Sequence, residues 1–121
     1  MFLNNTSLTA VDIGSNVTQL KAEFCKGCTI LNTLILRGTS IVALANISAL
    51  NSGTPFASGG AGGTIYIPKS LYDHLGDGTS SDYKAASNWS TINGYGTITW
   101  AKIEGSYYEN HYADGTTIPT T

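Results

Sequence analysis

Hydrophobic residues in the first third of this chain follow one pattern written twice. Leu8, Val11 and Ile13 return as Leu31, Leu34 and Leu36 at a constant displacement, since 31 − 8, 34 − 11 and 36 − 13 are equal. Within each copy the spacing L-x-x-V-x-I or L-x-x-L-x-L sets apolar side chains on one side of a short extended segment, because side chains on a strand alternate between faces. Strands are therefore expected over 8–13 and 31–36, side by side in a parallel ladder. A period in the twenties with one strand per copy is the signature of a solenoid whose coils stack on one another. Phe2 precedes Leu8 much as Phe24 precedes Leu31, so the repeat reaches backwards and the chain opens in mid-copy. Further coils are expected ahead of Met1 in a longer parent protein. The apolar edge around Phe2, Leu3, Leu8 and Val11 is expected to be covered by another protomer or to lack order.

Between the strands, Val17, Leu20 and Phe24 fall at spacings of three and four, and Ile41, Leu44, Ile47 and Leu50 at every third position. Both runs predict short helical or 3₁₀-like return segments with these side chains turned inward. Gly14-Ser15-Asn16 and Asn51-Ser52-Gly53-Thr54-Pro55 supply turns, and Phe56 is expected to plug the core as Phe24 does. Residues 57–63 form a linker with four glycines. A third strand is predicted at 64–67, bounded by Gly63 and Pro68. Leu71, Tyr72 and Leu75 share one face of a helical segment over 69–75. Asp82 has the position of an N-cap for a helix over 83–89, and Trp89 should bury its ring with its indole N–H partnered. Residues 97–103 alternate as a last strand, and the tail from Gly105 is expected to be partly ordered over the end of the molecule.

The run from Leu8 through Val17, Leu20, Phe24, Gly27 and Cys28 to Leu31 resembles the BspA type of leucine-rich repeat. Gly63-Thr64-Ile65-Tyr66-Ile67-Pro68, followed by Tyr83-Lys84-Ala85-Ala86-Ser87-Asn88-Trp89, is similar to the segment that closes such arrays. The resemblance covers residues 2–104, with few repeat copies and with insertions at 59–63 and 76–81. It implies an α/β leucine-rich-repeat solenoid fragment: short parallel strands, irregular or 3₁₀ return segments, and a C-terminal cap with short helices. Its divisions would be repeats at 1–56, a stretched last coil and cap at 57–104, and a Tyr-rich tail at 105–121. The function it implies is a non-enzymatic protein-interaction or adhesion module of a bacterial cell-surface or secreted protein. A structural or receptor-binding part of a phage or prophage tail, and so of a virion, is the alternative.

Composition narrows the partners. The 121 residues amount to one domain. Charged residues make up 12%, about half the usual share, so the surface is polar without being charged, as suits an extracellular protein. A net charge of −2 leaves no basic footprint for a phosphate backbone, and nucleic acid is not an expected partner. No apolar run reaches the length of a membrane span, so no membrane insertion is expected from this segment. A protein or surface-glycan ligand is expected, with self-association through the open N-terminal edge as a further possibility.

Candidate chemistry is sparse. Cys25 and Cys28 form a C-x-x-C, but a zinc site needs four ligands, and His74 and His111 stand isolated in the sequence. Structural cysteines are expected, Cys28 buried and Cys25 facing out, with a disulfide between them as the alternative. The 77–82 segment lacks the residue order of a calcium loop, and the glycines at 59–63 neither follow a strand nor open a helix as a phosphate loop would. No nucleophile motif accompanies the histidines, so no catalytic residue, metal or cofactor is expected. The binding candidates are the outward strand positions Thr9, Asp12, Asn32, Ile35 and Arg37. An aromatic set, Tyr95, Tyr107, Tyr108 and Tyr112, has the Tyr/Ser/Gly/Asn composition of recognition surfaces.

Overall fold

The structure, a computed structural model, describes residues 2–103, 109, 111 and 117. It is mixed α/β, with short parallel strands, few helices and no closed barrel among the described residues. Four strands form one parallel sheet in the order β1 (Ala10–Ile13), β3 (Thr33–Leu36), β5 (Gly63–Ile67) and β6 (Ile98–Lys102). Two very short strands, β2 (Gln19–Leu20) and β4 (Ala43–Leu44), pair in parallel in a second sheet.

The register reproduces the hydrophobic pattern. Val11 lies opposite Leu34 and Ile13 opposite Leu36, the same displacement that the sequence repeats. Leu34 in turn lies opposite Ile65, and Ile65 opposite Trp100. A one-residue slip would turn every one of these side chains to the other face, so burial of this inward row fixes the pairing. A further set of lateral backbone hydrogen bonds joins the turns. Phe2 donates to Phe24 and Asn4 to Lys26, while Cys25 donates to Ala49 and Gly27 to Ser52. The segment from Phe2 to Leu20 is thus tied to the one that follows it at three places, through β1–β3, β2–β4 and the Phe2–Phe24 turn.

The core lies between the sheets, where Leu20, Phe24, Leu31, Leu34, Leu36, Leu44, Leu50, Phe56, Ile65, Ile67 and Trp89 pack together. Full burial of one large apolar side chain contributes about 1.5–3 kcal/mol, so this cluster supplies the driving force that such short strands cannot. Phe56 plugs the interior as anticipated. Its ring also explains Gly63, where a Cβ would run into the Asn32 carbonyl and the Phe56 ring.

Several local expectations are corrected. Val17 is 40% exposed, because a turn closed by the Val17 N–H on the Gly14 carbonyl leads straight into β2, which turns only Leu20 inward. The first return is therefore a strand, and the second holds a 3₁₀ turn at Ile47–Ala49, where the Asn46 side chain accepts from the Ser48 N–H. Val42 is buried in preference to Ile41. Cys25 faces inward, fully buried beside Cys28. The helix expected at 83–89 is a series of turns. A short helix α1 occupies Lys69–Tyr72, and α2 begins only at Trp89, spanning Trp89–Asn93. Tyr83 and Trp89 are both fully buried, yet six positions apart on one helix they would point about 120° away from each other. The chain breaks at Asn88 instead, with φ of 67°.

Those turns seal one side of β4. The Val42 N–H donates to the Tyr83 hydroxyl (2.9 Å), and the Val42 carbonyl accepts from the Trp89 indole (2.7 Å). The Leu44 carbonyl accepts from the Asn88 side-chain amide (2.7 Å). Three side chains thereby take the place of a strand. Tyr83 stacks on Trp100 at 5.4 Å and meets Trp89 edge-on at 5.3 Å, which fixes the rings in place.

Candidate functional site

The face turned away from the core is the outward side of the four-stranded sheet, and it is only partly exposed: Ile35 is fully buried there, while Thr99 at its β6 end is exposed. Strand alternation sends Ala10 and Asp12, Thr33 and Ile35, Thr64 and Tyr66, and Thr99 and Ala101 to that side. Register then arranges them in rows: Thr33, Thr64 and Thr99 lie across three neighbouring strands, with Asp12, Ile35, Tyr66 and Ala101 in the row beyond. Neighbouring strands are about 4.8 Å apart, so the three threonines form an evenly spaced, uncharged line.

The site residues expected from sequence separate into groups. Asp12 and Ile35 are on the outward face, whereas Thr9 and Asn32 sit just before β1 and β3, both exposed. Ile35 is 0% exposed and is withdrawn as a contact residue, since it is covered although it lies outside the main apolar cluster. Arg37 follows β3 and grips Asp12 with two hydrogen bonds, Nε to Oδ1 at 2.7 Å and Nη2 to Oδ2 at 3.0 Å. The same Nη2 donates to the backbone carbonyl of His111 at 2.7 Å. His111 also forms an antiparallel bridge with Thr117. The described part of the tail therefore meets the sheet at Arg37, not only the end of the molecule. A fork-shaped guanidinium holding a carboxylate and a carbonyl together is a positioning device, and it commits Asp12 and Arg37 to the protein itself.

Tyr95 is half-buried and packs on the core, while Tyr107, Tyr108 and Tyr112 lie outside the described residues. The threonine row was not anticipated. The signal for it was present: Thr33 and Thr64 each start a strand pattern, and aligning the strands by their inward residues lines up their hydroxyls.

Two clefts flank this face. One, of about 250 Å³, is lined by Arg37, Thr39, Pro68, Lys69, Ile103 and Glu109 at the carboxyl ends of the strands. The other, of about 320 Å³, opens beside β1 and β2 among Phe2, Val11, Ile13, Val17 and Phe24, with Asp12, Gln19 and Lys21 also on its lining.

The titratable groups have structural partners. Burial, reinforced by neighbouring Cys28, pushes the Cys25 thiol up to about 12, so it stays protonated and unreactive at neutral pH. The Cys28 thiol donates to the Phe2 carbonyl. On the exposed 74–79 turn, Asp77 accepts from the Thr79 N–H and hydroxyl and meets His74 Nδ1 at 2.6 Å, which holds its carboxyl down at about 2. Burial works to raise the Asp82 carboxyl, but backbone N–H donors of Gly76, Gly78 and Lys84 outweigh it and hold it low. Among the described residues, no three His, Cys, Asp or Glu side chains converge as metal ligands would, and no helix is long and apolar enough to cross a membrane.

No family model matches the chain, and no curated protein or solved structure matches it either.

Proposed function

We propose that the chain forms the closing end of a BspA-type leucine-rich-repeat solenoid and serves as a non-enzymatic interaction module of a bacterial cell-surface or secreted protein. The near-constant steps between passes support the solenoid reading: 33 − 10 = 23 from β1 to β3, 43 − 19 = 24 from β2 to β4, and 24 − 2 = 22 from Phe2 to Phe24. Three lateral columns with similar steps are what a coil stacked on its neighbour requires. The sealing of β4 by Tyr83, Asn88 and Trp89 supports the assignment of this part as a terminating cap.

The observation that carries the binding function is the threonine row on the outward sheet face. The Thr33 hydroxyl donates to the Asn32 side-chain oxygen (3.0 Å) and keeps its acceptor lone pairs, and hydroxyls at strand spacing on a rigid backbone can meet a ligand rich in hydroxyls or amides with little ordering cost. A surface glycan or an extended polypeptide has that chemistry.

A glycan array and binding to intact bacterial cells, read with labelled protein, test the reading. Replacing both Thr33 and Thr99 by Lys should abolish binding while the fold is kept, because two long charged chains would stand over Thr64. Binding that survives the double substitution, or no binding to either target, overturns it.

A further inference from the structure

The outward sheet face is open near the amino ends of its strands and closed near their carboxyl ends. Thr99 is exposed and Thr33 and Thr64 are half-buried, whereas Ile35, one row further along, is 0% exposed and Ile103, two positions past Ala101, is 9% exposed. Among the described residues these two are the buried apolar side chains that stand apart from the core cluster. Neighbours on the same sheet face screen a side chain from its flanks, so Asp12 and Tyr66 beside Ile35 do not bury its tip. The cover comes from above. Arg37 folds across to Asp12, and its Nη2 takes the His111 carbonyl at 2.7 Å, while Glu109 lines the same cleft as Arg37 and Ile103. Glu109 and His111 come after β6 in the chain, and His111 bridges Thr117 in antiparallel fashion. The described residues that follow β6 therefore return over the sheet that β6 completes.

We infer that the segment carrying Glu109, His111 and Thr117 is a strap seated in a polypeptide-binding groove, and that the partner of the outward face is an extended polypeptide which displaces it. The inference deepens the proposed interaction function and rests on that reading. Three observations favour a polypeptide over a glycan. The resting occupant is itself polypeptide. Arg37 holds it through a backbone carbonyl, a group that every peptide supplies whatever its sequence. Ile35 and Ile103 give the groove an apolar floor, which a peptide can cover with side chains and a hydroxyl-rich sugar cannot cover without desolvating its hydroxyls. The floor borders the threonine row, so one extended ligand touches both. Exchange leaves the sheet whole, because no described residue of the strap adds a strand to the β1, β3, β5 and β6 ladder. Arg37 keeps its grip on Asp12 throughout and changes only the carbonyl it donates to.

The test adds a fluorescein-labelled synthetic peptide of residues 105–121 to the full chain and reads its binding by anisotropy. In the wild type the tethered strap competes with the peptide. His111→Pro, made in the chain but not in the peptide, removes an amide N–H and fixes φ at the residue that joins Thr117 to Arg37. It should tighten peptide binding about 10-fold, as expected where the groove stands open in about a tenth of wild-type molecules. Arg37→Gln added to His111→Pro should weaken the peptide at least about 10-fold, because the charged donor to the carbonyl is gone. Circular dichroism checks folding, and if the Arg37→Gln chain does not fold, the comparison of wild type with His111→Pro decides alone. No binding to His111→Pro up to about 1 mM peptide, equal binding by wild type and His111→Pro, or binding indifferent to Arg37→Gln would each overturn the inference. Such a failure beside target binding that still needs Thr33 and Thr99 removes the strap and keeps the interaction reading. Peptide binding as expected, with no glycan or cell target found, does the reverse.

Discussion

On one flank of the small sheet, the outer edge of β4 is closed by the Tyr83 hydroxyl, the Asn88 amide and the Trp89 indole. On the other flank, β2 meets no such side chains among the described residues, and β1 beside it ends the large sheet with an apolar cleft at its foot. Both flanks belong to the same ladder and carry the same backbone chemistry. The difference lies in whether polar atoms can be delivered on anchored side chains. At β4 they arrive on two aromatic rings that are themselves core, so positioning them adds no separate ordering cost. At β2 the neighbouring turn carries Ser15, Asn16 and Val17, all exposed, and nothing there reaches back. An open edge is a liability unless another chain uses it, and that contrast can be broken or sharpened by experiment.

The largest effect should come from Trp89→Ala, which removes the biggest buried side chain and leaves the Val42 carbonyl without its donor. Urea unfolding is expected to show a loss of about 3–5 kcal/mol. A loss below about 1 kcal/mol would mean that the seal is not part of the cooperative core. Tyr83→Phe should cost less, about 1–3 kcal/mol, because the ring stays while the buried Val42 N–H loses its acceptor.

Alkaline pH probes the same region without mutation. Burial raises Tyr83 from 10.0 to about 12 and Cys25 from 9.0 to about 12. The unfolded chain releases these protons first, so it binds fewer protons than the folded chain and stability must fall as pH rises. Thermal melting is expected to decline progressively from about pH 9 upward, and Tyr83→Phe should flatten the part above about pH 10. An unchanged profile in that variant would remove Tyr83 from the explanation. In acid the sign reverses: Asp77 and Asp82 are held low, so their contribution is present above about pH 4 and is lost as pH falls below it. The smallest effect belongs to the open end, where Val17→Ser in dilute protein should shift stability by no more than about 0.5 kcal/mol. A larger loss would show that Val17 is packed within the monomer after all.

The ladder itself was legible because one shared displacement of three apolar positions leaves little freedom in how strands align. The inward row Val11, Leu34, Ile65 follows from period-two alternation, and the burial of Phe56 and Trp89 from their size. What could not be read were choices made by tertiary partners. Val17 and Leu20 look alike as apolar residues at helical spacing, yet β4 recruits Leu20 alone into a strand. Asp82 reads as a helix cap, but with both oxygens taken by Gly78 and Lys84 it serves to shape a loop. The outward face was only half legible. Alternation identifies Asp12 and Ile35, whereas the grip of Arg37 on Asp12 and the approach of His111 join positions 25 and 74 apart, beyond any local pattern.

Strand-to-strand steps along the large sheet lengthen in order, from 33 − 10 = 23 through 64 − 33 = 31 to 98 − 63 = 35, although each strand stays short. The additional chain leaves the sheet as surface excursions around 57–62 and 73–81. Lengthening a flexible excursion costs only about 0.6 kcal/mol per doubling, far less than disturbing one inward row. Homologous chains would thus be free to diverge most in those two excursions, acquiring or shedding residues there while the stepwise alignment of strands stays as it is.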